Sequence, residues 1–490
     1  MMLGSARAVA GKTLPPGKMQ GFILRGYSFP FVRHFALTVR DAAAARAFIA
    51  GLVDGGAGPQ ITSAEEWAPT KPHFCLNIGF TYPGLQALGV PQAVLDASFA
   101  NPDHQPFVDG SAARAPFVGD VGQSDPAGWT LSDRGFHVML SLWAQSVEVR
   151  EAVTATLAGL FAAGFGPADP AIMFDSQDLP DDQIYFGYRD SIAQPIVCGA
   201  QFPRSPDGGQ DIVDPGLFVL GEATGAFAQS FPVPTPDAFG HYGCFGAFRI
   251  LHQDVEGFDA HIESIKAEFG KTFAVTDPEV QRLAVKAKMC GRWPNGTPLS
   301  LYPVNGNQPA PALHQEQLND FQYTLPNGDP SNPAKNPDIG TNCPVSSHIR
   351  RANMRDFPLA ASSAAKRRIM RRAMPYQSPY DPLDRNTGER GLMGFFLCAC
   401  LREQFEFVQH NWINNGAQRF SIGNDDHADP LMGTNPDPAG GAYTETLRKP
   451  GGKISDVEIL PMNSFVTTKG SAYLYFPGMD GISYVASAAG

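Results

Sequence analysis

The 490-residue chain has no apolar run long enough to cross a bilayer. Its longest suggestive stretch, residues 391–401, falls short of the ~20 residues a membrane helix needs. Residues 1–18 lack a continuous apolar segment and a twin-Arg pair, so no export signal is read and a cytoplasmic setting is expected. Cysteine is sparse and scattered. Cys75, Cys198, Cys244, Cys290, Cys343, Cys398 and Cys400 are odd in number and form no CxxC pair. That argues against a disulfide framework or a zinc site and fits a reducing compartment. No HExxH or GxSxG pattern occurs. Gly11-Lys12-Thr13 and Gly270-Lys271-Thr272 resemble the end of a phosphate loop, but Ala6 and Ile265 stand where the leading Gly belongs. The net charge of −11 argues against a nucleic-acid binder or an anionic-membrane binder. No repeat register of 20–50 residues is visible.

What is present is a large soluble-type composition, 43% hydrophobic, with 51 Gly and 43 Pro that demand many turns. Four strand-then-helix units can be read. Residues 35–39 precede a helix capped by Asp41, with Ala45, Phe48, Ile49 and Leu52 on one face. Residues 137–143 precede a stripe of Val149, Ala152, Val153, Thr156, Leu157 and Leu160. Residues 247–251 precede Phe258, Ile262, Ile265 and Phe269, and residues 395–401 precede Phe405, Val408 and Trp412. Each stripe has the spacing of a helix lying on a sheet. Two units fall in each half, so either an unrelated series of βα pieces or two similar α+β halves is expected. A boundary falls in the Pro/Gly/Asp-rich residues 199–235. The division read is a tail over 1–19, a first domain over 20–215 and a second over 216–490. Residues 101–127, 302–343 and 423–453 are rich in Pro, Gly, Asn and Asp and read as long loops.

Three short stretches bear chemistry. The second loop leads into Asn342-Cys343-Pro344-Val345-Ser346-Ser347-His348-Ile349-Arg350-Arg351, where one His sits among several Arg. Imidazole is a common metal ligand and Arg grips carboxylates. Asp190 lies in Gly187-Tyr188-Arg189-Asp190-Ser191-Ile192-Ala193-Gln194-Pro195; on spacing alone a turn between apolar segments is the simpler account. The basic run Lys366-Arg367-Arg368-Ile369-Met370-Arg371-Arg372 reads as a solvated helix face, a nucleic-acid patch, or a set in which one or two Arg face inward to an anionic ligand. Cys398-Ala399-Cys400 lies in a strand pattern, where core thiols are expected rather than ligands.

Taken together and in this order, these stretches resemble the dye-decolourising (DyP-type) haem peroxidase family. Gly187-Tyr188-Arg189-Asp190-Ser191 is similar to its GxxDG distal motif, with Ser191 in place of the second Gly. Cys343-Pro344 through Arg351 is similar to its proximal-His segment, and Arg371-Arg372-Ala373-Met374-Pro375-Tyr376 to the segment bearing its distal Arg. Gln20-Gly21-Phe22-Ile23, Leu76-Asn77-Ile78-Gly79-Phe80, Gly246-Ala247-Phe248-Arg249, Gly291-Arg292-Trp293 and Gln404-Phe405-Glu406-Phe407 extend the likeness over nearly the whole chain.

The resemblance implies an α+β fold of two ferredoxin-like halves, each an antiparallel sheet with packed helices, forming a DyP-type barrel. It implies haem b (iron protoporphyrin IX) bound through His348, with Asp429 as the acceptor for the other ring nitrogen and Arg355 on a haem propionate. Asp190 and Arg371 are then the distal acid–base and the charge stabiliser. Phe396 is read equally as part of the distal wall and as an ordinary strand residue. The implied reaction uses hydrogen peroxide to oxidise bulky aromatic or phenolic compounds in one-electron steps through a ferryl-oxo intermediate. A haem-handling or haem-sensing protein, and a cofactor-free protein with an Arg-lined anion site, are the alternatives. Homo-oligomer formation, the physiological reductant and the relay aromatics are left open.

Overall fold

Strand β1 (Phe31–Leu37) sends Val32, His34 and Ala36 to one side and Arg33, Phe35 and Leu37 to the other, and both sides are largely buried. The same holds for β2 (Phe74–Phe80), β3 (Val138–Ala144), β5 (Cys244–Gln253), β7 (Glu389–Cys398) and β8 (Val466–Phe476). Strands covered on two faces read as largely apolar runs, clearest in β3 and in the second half of β8. With β4 (Met173–Gln177) and β6 (Met370–Ser378) they join in the order β4-β1-β3-β2-β8-β5-β7-β6, antiparallel throughout. A two-residue strand, Leu131–Ser132, adds to β8 and makes nine.

The first four strands end by Gln177 and the other four begin at Cys244, and each set repeats the order fourth-first-third-second. That is the order of a βαββαβ ferredoxin-like unit. The two sets meet where Tyr475 of β8 pairs with Phe80 of β2. The outer strands β4 and β6 approach each other, so the sheet curls towards closure. In this computed structural model the residues described are 13–67, 69–166, 173–200, 212–224, 230–323, 338, 340–355, 367–378, 388–414, 428–434 and 464–488, with the backbone of 443–448 and 457–462.

One side of the sheet lines the interior with Val32, Trp143, Phe248, Phe395, Leu397 and Phe476, and Phe22 from the short helix Gly21–Leu24 packs on them. The other is covered by helices. Helix α1 (Ala42–Gly51) is capped by Asp41, whose carboxylate accepts from the Ala44 N–H at 2.9 Å, and it buries Ala45, Phe48 and Ile49, with Leu52 at its end, as expected. Helix α4 (Val147–Phe161) departs in part from expectation: Leu157 is buried as expected, but Ala152, Thr156 and Leu160 are exposed and Phe161 is buried in their place. The helix is rotated by about one position, with Leu157 and Phe161 packed inward and Arg33 on β1 hydrogen-bonded to Glu151 and Thr154.

Helices α2 (Gln105–Asp109) and α3 (Ser111–Val118) occupy a region read as loop. Their Pro residues and the left-handed Gly119 that ends α3 hid helices too short for a periodic signal. Helix α5 (Val255–Phe273) buries Phe258, Ile262, Ile265 and Phe269 against α6 (Pro278–Cys290), so Gly270-Lys271-Thr272 is helix interior and no phosphate loop. After β7 the chain runs as a wide π-helix over Leu401–Glu406 and Val408–Ile413, which still buries Phe405, Val408 and Trp412. Tyr443–Arg448 and Val457–Met462 form a separate antiparallel pair.

His34 inside the curled sheet has a pH consequence. Its Nδ1 lies 2.8 Å from Ser141 Oγ, Phe248 and Phe395 meet it edge-on, and burial pushes its pKa down to about 3. Folded His34 stays neutral where the unfolded imidazole takes a proton. Its contribution is therefore complete above ~6.5 and is lost as pH falls, at about 1.4 kcal/mol per pH unit. Urea unfolding followed from pH 7 to 4.5 should show this loss, and His34→Gln should flatten it; an unaltered slope in the variant rejects the assignment.

Candidate active site

Helix α7 (His348–Ala352) begins at His348, and its position is set by an acid absent from the sequence reading. Asp338 is buried and its carboxylate accepts the backbone N–H groups of Gly340, Thr341, Asn342 and Cys343 at 2.7–3.1 Å. Arg350 returns from α7 to donate to the Cys343 carbonyl at 2.7 Å and to the Asp338 carbonyl. Lys288, near the end of α6, donates to the carbonyls of Thr341 and Asn342. Gly291 caps α6 in the left-handed region (φ 89°) directly against this segment. A Cβ there would lie 2.5 Å from Ile349 Cγ1 and 2.9 Å from Ser347 Oγ, so only Gly allows the approach. Asp338→Ala should leave four N–H groups without their acceptor and destabilise the fold by about 3 kcal/mol. Urea midpoints test it, and no shift would refute the role.

His348 Nδ1 lies 2.8 Å from Asp429 Oδ2. Asp429 is fully buried, and its other oxygen accepts from the N–H groups of Leu431 and Met432 at 2.9 Å. Burial alone would raise the pKa of this carboxyl; His348 and the two N–H groups outweigh it and hold it below the ordinary value. The pair fixes the ring orientation and leaves Nε2 as the nitrogen suited to a metal. The imidazole is 22% exposed. Neighbouring His427 lies outside the described residues.

A second pair joins two distant segments. Arg371 Nη2 is 3.4 Å from Asp190 Oδ1, and these side chains are 39% and 34% exposed, open enough to meet a small ligand. Strand parity decides which Arg goes there. On β6, Arg371 shares a side with Phe396, its cross-strand neighbour on β7. Arg372 points to the opposite side and donates to the Phe22 carbonyl at 2.7 Å. The basic run is thus neither a helix nor a solvated face: it ends in a strand, and Arg367 binds Glu403 and lies 3.6 Å over Phe407. Lys366 is outside the described residues. Phe396 is half-buried, with Phe405 at 5.6 Å.

The Asp190 loop is pinned along its length. The Asp190 N–H donates to the Asp182 carbonyl, the Arg189 N–H to the Pro294 carbonyl, and Tyr188 Oη to the Lys286 carbonyl, all at 2.8–2.9 Å. Lys286 Nζ reaches the Phe186 carbonyl. Helix α6 and the turn after it therefore support both the Asp190 loop and the His348 segment. Ser191 has φ 59°, so the residue that replaces the motif glycine holds the conformation glycine favours. Relief of that strain in Ser191→Gly should stabilise the fold by about 1 kcal/mol. A lowered urea midpoint would contradict it.

Arg355 donates to the carbonyls of Asn319 and Phe321 at 3.0 Å and to the Asn319 side chain, 3.8 Å above the Phe321 ring. Buried Arg292 shares that Asn319 oxygen, and burial, then Arg355, press its pKa down to about 10. Among the described residues neither guanidinium has a carboxylate within ion-pair distance. Arg292 and Asn319 were missed because neither stands near His348 in sequence. All seven cysteines are free, and Cys398 and Cys400 are buried in the core. Among the described residues no cluster of His, Cys, Asp and Glu suits a metal held by protein ligands alone, and no helix is long and apolar enough to cross a membrane.

No family model matches the chain. It is 27% identical to a dye-decolorizing peroxidase of Exidia glandulosa, over 98% of this chain and 88% of the relative. It is 28% identical to one of Mycena epipterygia, over 96% and 86%. Among solved structures, the fungal DyP-type peroxidase of Auricularia auricula-judae superposes with a TM-score of 0.77 at 23% identity, covering 97% of this chain and all of that one. A dye-decolorizing peroxidase in complex with 2,6-dimethoxyphenol gives 0.76 with the same coverage. Along nearly its whole length the chain is a homologue of the dye-decolorizing peroxidases, and it has their fold.

Proposed function

We propose that the protein is a haem peroxidase that uses hydrogen peroxide to oxidise phenolic and other bulky aromatic compounds, with haem b as its cofactor. The observation that supports this reading best is the coexistence of two pairs, His348–Asp429 and Asp190–Arg371, built on one scaffold. The donor set fits the cofactor: one imidazole nitrogen suited to iron, and two guanidiniums, Arg355 and Arg292, without acidic partners among the described residues and matched to propionates. Bound haem supplies the iron at which peroxide is taken up and its two oxidising equivalents are stored.

The remaining work falls to side chains. Asp429 holds the Nδ1 proton of His348 and makes the imidazole a more basic ligand. Asp190 accepts a proton from one peroxide oxygen and returns it to the other as water leaves. Arg371 offsets the negative charge that grows on the departing oxygen. Phe396 shields that side from bulk water. A haem carrier has no need for a carboxylate–guanidinium pair, so the Asp190–Arg371 contact favours the enzyme. The dimethoxyphenol complex of the relative supports a phenolic reductant. The test is the absorption spectrum of the purified, haem-supplied protein followed by peroxide titration. A Soret band that responds to stoichiometric peroxide is expected; no Soret band, or one indifferent to peroxide, defeats the reading.

A further inference from the structure

The side of the sheet that presents Arg371 bears a cross-strand row, Arg371 on β6, Phe396 on β7, Ala247 on β5 and Tyr473 on β8. The small Ala247 leaves room for Phe405, whose ring lies 5.6 Å from Phe396 and 6.0 Å from Tyr473. The Tyr473 hydroxyl donates to Glu406 Oε1 at 3.0 Å. Both residues are buried, Glu406 completely. Arg114 grips the same carboxylate through Nε to Oε1 at 3.0 Å and Nη2 to Oε2 at 2.8 Å. Arg114 in turn lies 4.8 Å over Phe117, which is 40% exposed and stacks on His410 at 4.2 Å. Burying a carboxylate is costly even with a partner, and packing alone would be served as well by Phe at 473.

We propose that Tyr473 is a redox-active tyrosine with Glu406 as its proton acceptor, carrying oxidising equivalents from the site beside Phe396 towards the Phe117–His410 surface. The proposal rests on the peroxidase reading. In the first step Tyr473 gives one electron to the peroxide-oxidised haem site, and its O–H bond breaks as the proton moves along the existing hydrogen bond to Glu406. The products are a neutral tyrosyl radical and a protonated Glu406 against Arg114. In the second, an aromatic reductant at the surface gives one electron to the radical and Glu406 returns the proton, restoring Tyr473 and oxidising the reductant by one electron. A preformed phenol–carboxylate bond is what such a coupled transfer requires.

The test is rapid-freeze electron paramagnetic resonance of haem-loaded protein mixed with one equivalent of hydrogen peroxide. Wild-type protein should give a tyrosyl signal that narrows with ring-deuterated tyrosine. The signal should vanish in Tyr473→Phe and persist in Tyr475→Phe, whose hydroxyl donates to the Phe239 and Gly240 carbonyls and has no carboxylate partner among the described residues. Glu406→Gln keeps an acceptor oxygen but removes the base and should lower the radical yield; it decides the matter should Tyr473→Phe not fold. A signal that survives Tyr473→Phe, an undiminished yield in Glu406→Gln, or no tyrosyl signal despite a normal Soret response overturns the proposal alone. A Soret band indifferent to peroxide overturns the peroxidase reading and this one with it.

Discussion

An Asp190→Asn variant is expected to keep its haem and to react with hydrogen peroxide about two to four orders of magnitude more slowly than the parent. The substitution is close to isosteric. The backbone bond from the Asp190 N–H to the Asp182 carbonyl is untouched, and an amide oxygen still faces Arg371 at a 3.4 Å separation. What disappears is a group that can take a proton from one peroxide oxygen and hand it to the other. Removing Arg371 as Arg371→Leu deletes the fixed positive charge instead and should slow the same step by a smaller factor, about 10²–10³, the loss typical of one stabilising donor. Stopped-flow measurement of the Soret change, with haem content determined in parallel, separates a lost reaction from a lost cofactor. Asp190→Asn reacting at the parental rate would remove Asp190 from the mechanism.

The second large effect is expected at the His348–Asp429 pair, which would hold the iron. Asp429→Ala removes the acceptor for the His348 Nδ1 proton and abandons the N–H groups of Leu431 and Met432 in a fully buried place. Loss of such a supporting carboxylate typically costs 10–100-fold in metal-site affinity or activity. Breaking a buried pair from one side costs about 3–5 kcal/mol in stability. His348→Ala should be more severe for haem retention, because it removes the ligand itself. The two variants are told apart by the iron–imidazole vibration: weakened in Asp429→Ala, absent in His348→Ala. Full haem loading of His348→Ala with an unaltered ligand-field spectrum would contradict its assignment.

The members of both pairs are named through the family resemblance: on local pattern alone Asp190 reads as a turn and His348 as a single His among Arg, and nothing local ties either to its partner. The helices of three units were legible in the residues themselves, since Phe258, Ile262, Ile265 and Phe269 repeat at helical spacing over a long run. Other features leave no such trace. Asp338 works by collecting four successive backbone N–H groups, and nothing periodic marks an acid that organises a loop. The orientation of α4 puts Phe161 against the sheet and Arg33, more than a hundred residues earlier, beside Glu151, contacts across the fold that the apolar stripe alone did not carry, so it pointed about one position off. The π-helix after β7 has no propensity signature of its own, although its buried side chains were found. Tyr473, Glu406 and Arg114 are brought together only by the folding of three remote segments.

The glycine-capped turn after α6 touches both the Asp190 loop and the His348 segment, through Pro294 and Gly291 respectively. Residues 186–192 and 340–350 then belong to one cooperative opening unit. Their amides should exchange with solvent deuterium at a common rate, and a ligand that quiets either segment should protect the other through the shared turn.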